Sequence, residues 1–210
     1  MYDLPHFKAH NDKEVFEFMK THPFITLCGT DKHGHLVATH VPVLLAHKEE
    51  KLVLRGHIQR KTDHHKAFMH VTNVLAIFTG AHSYVSASWY HNPRVASTWN
   101  YQAVHASGII HFGDDGMLLQ LLADLTRHFE NNPHSPALIN ELPKDYMQEH
   151  MKAIIAFEID ITEIKHVFKL SQNHEPENRN SIISHLSESN DPGARMVAAE
   201  MKKQHHLHED

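Results

Sequence analysis

Runs of alternating apolar and polar residues fill much of the first half of the chain and return near residue 155. Alternation with a period of two is typical of a β-strand that buries one face. In HLVATHVPVLL it puts the odd-numbered residues from Val37 to Leu45 on one face and His40 on the other. The pattern predicts strands in FITLCG, HLVATHVPVLL, KLVLRGHI, NVLAIFTG, TWNYQAVHASGIIHF and AIIAFEIDI.

Helical spacing appears between and after these strands. Asn11 caps the segment NDKEVFEFMKTH, and Pro23 ends that helix before the first strand. In GMLLQLLADLTRHFEN an apolar stripe recurs every three or four residues, which predicts a helix that faces the core. The stripe consists of Leu118, Leu121, Leu122, Leu125 and Phe129. Further helices are predicted in TDHHKAFMH, in LPKDYMQEHM and on both sides of NDPG in the tail.

The order of these elements indicates the fold class. A run of strands, a helix pair, one more strand and terminal helices fit an α+β fold with an antiparallel sheet or barrel, whereas parallel folds alternate strands and helices. The 210 residues suit a single domain. We predict a barrel domain over residues 1–170, with a helical insertion at about 116–150, and a C-terminal helical extension over 171–210.

Composition narrows the classes of function. The formal net charge of −5, with 24 histidines counted as neutral, leaves no basic surface for wrapping nucleic acid. The start of the chain lacks a basic region followed by an apolar run, and nowhere do 18 apolar residues follow one another. These features predict a soluble, cytoplasmic protein. The single cysteine, Cys28, cannot form an internal disulfide and is predicted to be a buried, unreactive thiol.

Several chemistries with short signatures are not indicated. The sequence has no GxGxxG, GxxxxGK[ST], HExxH, GxSxG or paired CxxC motif. We interpret His205, His206 and His208 as a charged tail rather than as metal ligands, and the His64–His65 pair as solvated surface. No metal site is predicted.

Three segments carry a denser pattern of polar and aromatic residues. They are THVPVLL at 39–45, LRGHIQRK at 54–61, and GAHSYVSASWYHNPRVASTWNYQAVH at 80–105, which holds both tryptophans. With MYDLPHF at the start and KLSQN at 169–173, these segments make the chain similar, over nearly its whole length, to the PaiB family of FMN-binding regulators. That family carries a His-x-Pro strand, a Gly-His-x-x-Arg strand end, an FTG…YVS…SWY run and a TWNYxxVH run.

The chain departs from the family pattern at a few positions. The family often has Asn-Pro where this chain has Thr62-Asp63, and prolines where it has Ala81, Ala87 and Ser97. These changes affect loop rigidity and one edge of the expected flavin site.

The resemblance implies a flavin-reductase-like split β-barrel, similar to pyridoxamine-phosphate oxidase, that forms a homodimer with FMN at the interface. FMN presents a dianionic phosphate, which requires cationic or N–H donors. The expected phosphate-side residues are His57, Arg60 and Lys61, with Thr39, His40 and Pro42 from the neighbouring strand. Strict alternation would separate Arg60 from His57 and Lys61, so the three converge only if the strand ends near Ile58. The alternative is a solvated basic strand end.

FMN also presents a flat ring system, which requires aromatic or apolar faces. The resemblance implies that rings of the third segment wall the isoalloxazine and pack the dimer seam, with Asn100 and Ser86 as polar contacts at its edge. The rings are Trp89, Tyr90, Trp99 and Tyr101. Alternation separates neighbouring rings, so they cannot all face one pocket. Without the resemblance, these rings would more often belong to an ordinary core and interface.

Three functions compete. The resemblance implies a negative transcriptional regulator of the kind named for sporulation and protease synthesis, whose flavin senses redox state or stabilises the dimer. Direct DNA binding has weak support, because the tail offers only Arg195, Lys202 and Lys203 as phosphate partners. The second function is an FMN-dependent oxidoreductase that uses NAD(P)H, with no assignable general acid. The third is a dimeric binding module without flavin.

Overall fold

The structure is a computed structural model that describes residues 1–2, 4–49, 51–92 and 94–206. Of the predicted histidine tail, His208 and the side chains of His205 and His206 lie outside the described residues. The helices are α1 (Asp12–Thr21), α2 (Asp63–Phe68), α3 (Asp115–Glu130), α4 (Lys144–Met151), α5 (Pro176–Ser187) and α6 (Pro192–His206). The strands are β1 (Phe24–Thr30), β2 (Leu36–Lys48), β3 (Lys51–Gln59), β4 (Asn73–Val85), β5 (Thr98–Phe112) and β6 (Ile154–Lys169).

The strands form a closed barrel in the order β1-β2-β3-β6-β5-β4. β1 pairs antiparallel with β2 and β4, and β3 pairs antiparallel with β2 and β6. Helices α3 and α4 come between β5 and β6, and α5 and α6 follow β6. The predicted α+β fold, with an antiparallel barrel, an inserted helix pair and C-terminal helices, is therefore confirmed. Within the described ranges, no helix combines the length and apolar character needed to cross a lipid bilayer.

Side chains alternate between the two faces of β3 and β6, so every second residue faces the barrel interior. Ile58 lies opposite Ile155, and both are buried. Gly56 lies opposite Phe157, and a Cβ atom at Gly56 would be 2.6 Å from Cζ of that ring. The phenyl ring of Phe157 therefore occupies the space that a side chain at position 56 would need.

Helix α3 covers the outside of the barrel at β6. Its apolar stripe packs against Ala156, as the spacing predicted. The buried members are Leu118, Leu121 and Leu125. Leu122 packs against this cluster from a partly buried position. Phe129 is 51% exposed, so its prediction as a core residue was wrong. Phe129 lies in the last turn of α3, where its ring packs edge-on against His128 instead.

The chain divides into two compact units, each made of separate segments. Residues 19–78 and 105–164 form one unit, which we call the barrel unit because it contains β1, β2 and β3 whole. Residues 1–18, 79–104 and 165–210 form the other, which we call the helical unit because it contains α5 and α6. The extension predicted from residue 171 falls within the helical unit.

The helical unit has its own apolar core. Helices α5 and α6 supply most of it, and the ends of β4 and β6 add Val85 and Leu170. The helical members are Ile182, Ile183, Leu186, Ala194, Val197, Ala198 and Met201. Tyr90 also belongs to this cluster, so part of the ring-rich segment packs under the terminal helices.

Cys28 is partly exposed, so its prediction as a buried thiol was wrong. The reason is alternation along β1, which turns Ile25 and Leu27 into the barrel and leaves Cys28 on the outer face.

Replacing Gly108 by alanine is expected to destabilise the barrel unit by about 1–3 kcal/mol. A Cβ atom there would lie 2.5 Å from the backbone oxygen of Asp160 on the neighbouring strand, and backbone does not move aside easily. Urea unfolding should show a lower midpoint. Gly116→Ala in α3 is the control, because the closest atom to its Cβ would be Asp114 Oδ1 at 3.3 Å. It should keep or slightly raise the midpoint, and a wild-type midpoint in Gly108→Ala would contradict the packing described.

Candidate functional site

The connection from β3 to α2 carries the predicted cations. β3 ends at Gln59, so Arg60 and Lys61 follow the strand instead of continuing its alternation. Lys61 has a φ angle of 68°, in the left-handed region, and turns the chain into α2. Because the strand ends before Arg60, alternation does not hold Arg60 on the face opposite His57 and Lys61. The three side chains can therefore face one ligand.

Thr62 fixes the geometry of this turn. Its hydroxyl donates a hydrogen bond to the Gln59 carbonyl at 3.0 Å and accepts one from the His65 amide at 3.3 Å. Thr62 is thereby the N-cap of α2. Thr62, a position at which the chain departs from the family pattern, therefore caps α2 through its side chain.

His65 presents a buried N–H donor. The Lys61 amide donates to His65 Nδ1 at 3.1 Å, so in the neutral ring the proton is on Nε2. Nε2 is buried and has no hydrogen-bond partner among the described residues. Burial, and next the positive charge of Arg60, lower the pKa of His65. The prediction of solvated surface was therefore wrong for His65, whose ring packs edge-on against Phe112.

His57 lies on the outer face of β3, opposite Ala156 of β6. Its Nδ1 atom is buried and makes no hydrogen bond with any described residue. Burial lowers the pKa of His57, which favours the neutral ring. The strand end therefore holds two neutral imidazoles, each with one unsatisfied buried nitrogen.

Arg60 is anchored to the start of β6. Its amide donates to the Ala153 carbonyl at 2.8 Å, and its Nε donates to the Ile154 carbonyl at 2.7 Å. Nη2 lies 3.7 Å from Oδ1 of Asp115, a carboxylate that is 85% exposed. The guanidinium therefore has a structural role through Nε, and a ligand at its Nη groups would compete with the exposed carboxylate of Asp115.

The three candidates on β2 are divided between its faces. Alternation places Thr39 toward the barrel interior, and His40 and Pro42 on the outer face that also carries His57. His40 is exposed, and its ring stacks at 6.2 Å on Phe24. Thr39 therefore faces away from the outer surface that the other candidates share.

Trp89 and Tyr90 pack within the helical unit. Trp89 stacks on His185 at 5.0 Å, and its carbonyl accepts a hydrogen bond from Ser181 Oγ at 2.7 Å. Tyr90 is 8% exposed, with its ring edge-on to His174 at 4.9 Å. Burial raises the pKa of Tyr90. Both rings thus belong to the packing of α5.

Trp99 is the exposed ring of the four candidates, with 53% of its surface accessible. Its neighbours are Tyr84 at 6.0 Å and His82 at 6.2 Å. Tyr101 shares the Trp99 face of β5 by alternation and is partly buried, which raises its pKa. Ser86 lies apart from these rings and accepts a hydrogen bond from the Ser88 amide, which caps a single 3-10 turn.

Asn100 points to the opposite side of β5 and is fully buried. Its Nδ2 donates to Ser171 Oγ at 2.9 Å, and Ser171 Oγ lies 3.1 Å from Asn100 Oδ1. Lys169 donates from Nζ to Thr98 Oγ1, and the same ammonium lies 5.8 Å from the ring of Phe7. The segments TWNY, KLSQN and MYDLPHF therefore meet in the helical unit. The three segments are recognisable in the sequence by their similarity to one family, but their contacts with one another are visible only in the structure.

Comparison with known proteins adds a further finding. A family profile described as Putative FMN-binding domain matches residues 1–163. A Bacillus subtilis (strain 168) relative named Protease synthase and sporulation protein PAI 2 is 30% identical over 202 residues, which are 96% of this chain and 97% of that protein. The chain belongs to the PaiB family. FMN is the cofactor of this PaiB-family domain.

The PaiB-family chain also shares its fold with distant proteins. A conserved hypothetical protein of Mycobacterium tuberculosis superposes with a TM-score of 0.55 at 9% identity, covering 80% of this chain and 90% of that one. An FAD and heme binding protein of Mycobacterium smegmatis has a TM-score of 0.54 at 17% identity, covering 77% and 72%. At such low identity these likenesses show the fold alone.

The turn after β3 fits the phosphate end of FMN. The Nε2–H of His65 is a buried donor without an acceptor, and Arg60 offers its Nη groups beside it. A phosphate oxygen is the acceptor that such donors require. Sequence reasoning named Arg60 and Lys61 but missed His65. The signal available was its position three residues after a Thr that can cap a helix.

Stability is expected to decrease as the pH falls below about 6.5, the ordinary histidine value. His57 and His65 have lower pKa values in the folded chain, so between the folded value and 6.5 the unfolded chain binds more protons. Urea unfolding at about pH 7.5 and about pH 5.5 should show a smaller loss in His57→Gln than in wild type.

The exposed His33 gives a matched control, and His33→Gln should lose as much stability on acidification as wild type. An equal loss in His57→Gln and wild type would show that His57 does not contribute to the acid sensitivity.

Proposed function

We propose that this chain is a cytoplasmic, FMN-binding homodimer that acts as a negative transcriptional regulator of the PaiB type. The observation that supports the cofactor site is the unsatisfied Nε2–H of His65 beside Arg60, at the strand end where the Gly-His-x-x-Arg motif falls. The regulatory part rests on the identity with a relative named for protease synthesis and sporulation.

In this proposal the phosphate is held at the β3–α2 turn. His65 Nε2 and the Nη groups of Arg60 donate hydrogen bonds, and the exposed ammonium of Lys61 adds charge. The carboxylate of Asp63 does not compete strongly, because it accepts hydrogen bonds from the amide and ring of His64. When bound, FMN supplies the redox chemistry of its isoalloxazine ring, and the protein supplies binding and orientation.

Helix α6 is a poor candidate for insertion into duplex DNA. Arg195 donates from Nη1 to the Ser189 carbonyl at 2.6 Å, and Lys203 pairs with Glu200 at 2.6 Å. Arg195 and Lys203, two of the three residues considered as partners of DNA phosphates, therefore already bind groups that are close to them in the chain. We infer that regulation acts through the flavin or a protein partner rather than through α6 as a recognition helix.

The homodimer is proposed from exposed apolar residues on strands. In the barrel unit, Phe24 is 66% exposed and Leu36 is 85% exposed. In the helical unit, Tyr84 and Trp99 are 48% and 53% exposed. Tyr84 and Trp99 contact each other edge-on with ring centroids 6.0 Å apart, and such an exposed apolar pair is typical of a surface that a partner covers. A second copy of this chain is the partner that we propose.

The first test is to purify the protein without added cofactor, record its visible spectrum and titrate it with FMN. We expect oxidised flavin bands, or a Kd of about 1 μM or below, which corresponds to about 8 kcal/mol. A colourless protein that does not bind FMN would exclude the proposed cofactor site. If flavin is bound, rapid NADPH or NADH consumption would favour an oxidoreductase, and we expect slow consumption at most.

Variants of the turn locate the phosphate site. Arg60→Ala should weaken FMN binding roughly ten- to hundredfold and also lower stability, because the bond from Nε to the Ile154 carbonyl is lost. Lys61→Ala should weaken binding by a smaller factor with little effect on stability. The double variant Lys202→Ala/Lys203→Ala is the control and should bind FMN normally. If folded Arg60→Ala and Lys61→Ala both bind FMN with normal affinity, the FMN phosphate does not bind at the β3–α2 turn.

Light scattering is expected to give the mass of two chains at micromolar concentration. Phe24→Asp should shift the mass toward a single chain, since a buried unpaired carboxylate opposes association. Phe129→Asp is the matched control, because Phe129 is similarly exposed but lies on α3 away from the strands. A single-chain mass for wild type would contradict the homodimer.

A further inference from the structure

Arg179 begins the buried face of α5. The face continues with Ile182, Ile183 and Leu186, three or four residues apart, and these three side chains belong to the core of the helical unit. Arg179 is 8% exposed. A permanently charged side chain therefore occupies a buried position of α5, where the amphipathic pattern of the helix predicts an apolar side chain.

Two nitrogens of the Arg179 guanidinium have no partner in the part of the chain that the structure describes. Its Nε and Nη2 atoms are buried and make no hydrogen bond. Burial lowers its pKa, and no neighbouring charge contributes. By contrast, Arg55, a partly buried arginine of the barrel unit, donates from Nη1 to Asp124 at 2.9 Å.

A buried, unpaired charge is strongly unfavourable, and proteins normally avoid it by neutralising or pairing the group. Arginine cannot neutralise itself, because its pKa stays far above physiological pH. Pairing of Nε and Nη2 therefore requires an anion that the described residues do not supply.

The two unsatisfied atoms indicate the shape of that anion. The N–H bonds of Nε and Nη2 lie side by side on one edge of the guanidinium and point in nearly the same direction. This edge matches two oxygens of a carboxylate or a phosphate. Arg179 also lies in the first turn of α5, whose N-cap Glu175 makes no side-chain hydrogen bond to the helix. The positive end of the helix dipole adds to the attraction for an anion.

We propose that Arg179 is the binding residue of an oxyanion site in the helical unit, where Nε and Nη2 grip two oxygens of a phosphate or carboxylate. The site is separate from the phosphate site proposed at Arg60, and it does not depend on that assignment.

The experiment is an NMR titration of the wild-type chain, following the Nε–H signal of Arg179 while sodium phosphate replaces sodium chloride at constant ionic strength. The signal is expected to move to a saturating value, and the Tm to rise by about 5–10 °C at a hundredfold excess over the Kd. Arg179→Met should abolish the rise and keep or increase the Tm without phosphate, since the unpaired charge is gone. The exposed Arg94 gives the control, and Arg94→Met should keep the rise.

Two further arms identify the source of the anion. FMN is titrated in the same way, and a signal that responds to FMN but not to phosphate would support an oxyanion site at Arg179 and place the FMN phosphate there instead of at the β3–α2 turn. The double variant Glu209→Gln/Asp210→Asn is measured without added anion. A signal that changes only in this variant would overturn the proposal, because the chain's own carboxylates would then satisfy Arg179. A signal that responds to neither phosphate nor FMN would overturn it as well, and this result does not depend on whether Arg179→Met folds.

Discussion

The pairing of β3 with β6 is the constraint on which the barrel unit depends. Phe157 fits against the bare backbone of Gly56, and this fit fixes the register of the two strands. The same pairing continues past the end of β3, where Arg60 bonds to the carbonyls of Ala153 and Ile154. The position of the cationic turn is therefore a consequence of how the barrel interior packs.

The turn combines the guanidinium of Arg60 and the exposed ammonium of Lys61 with neutral imidazoles, which limits the number of positive charges brought together before a ligand binds. Burial keeps His57 and His65 neutral by lowering their pKa values, and neutral rings still offer N–H donors. A phosphate binding there would replace no existing side-chain hydrogen bond of His65 Nε2. Such a site favours a compact anion with several oxygens, which agrees with the family's cofactor.

The helical unit contains buried polar groups of two kinds. Asn100 and Ser171 satisfy each other, so the cost of burying their polar atoms is offset by hydrogen bonds. Arg179 is left without such a partner. Asn100 and Ser171 therefore stabilise the unit through their own contacts, whereas Arg179 is proposed to require a bound ligand. Trp89 and Tyr90 of the ring-rich segment also contribute to this unit, since they pack against α5 and the loop before it.

The sequence by itself determined the strands and the helices, because period-two and helical spacing depend on local geometry and on which face is buried, and the resemblance to one family implied the barrel. The sequence also contains the local Gly-His-x-x-Arg motif, from which Arg60 and its neighbour Lys61 were predicted as phosphate ligands. Alternation along β1 and β2 accounts for the partial exposure of Cys28 and separates Thr39 from His40. Only the tertiary structure decided that Phe129 is exposed. It likewise revealed the donor of His65, the core role of Asn100 and the unpaired charge of Arg179. These properties depend on contacts between residues far apart in the chain, and no local pattern records which buried polar atoms find a partner.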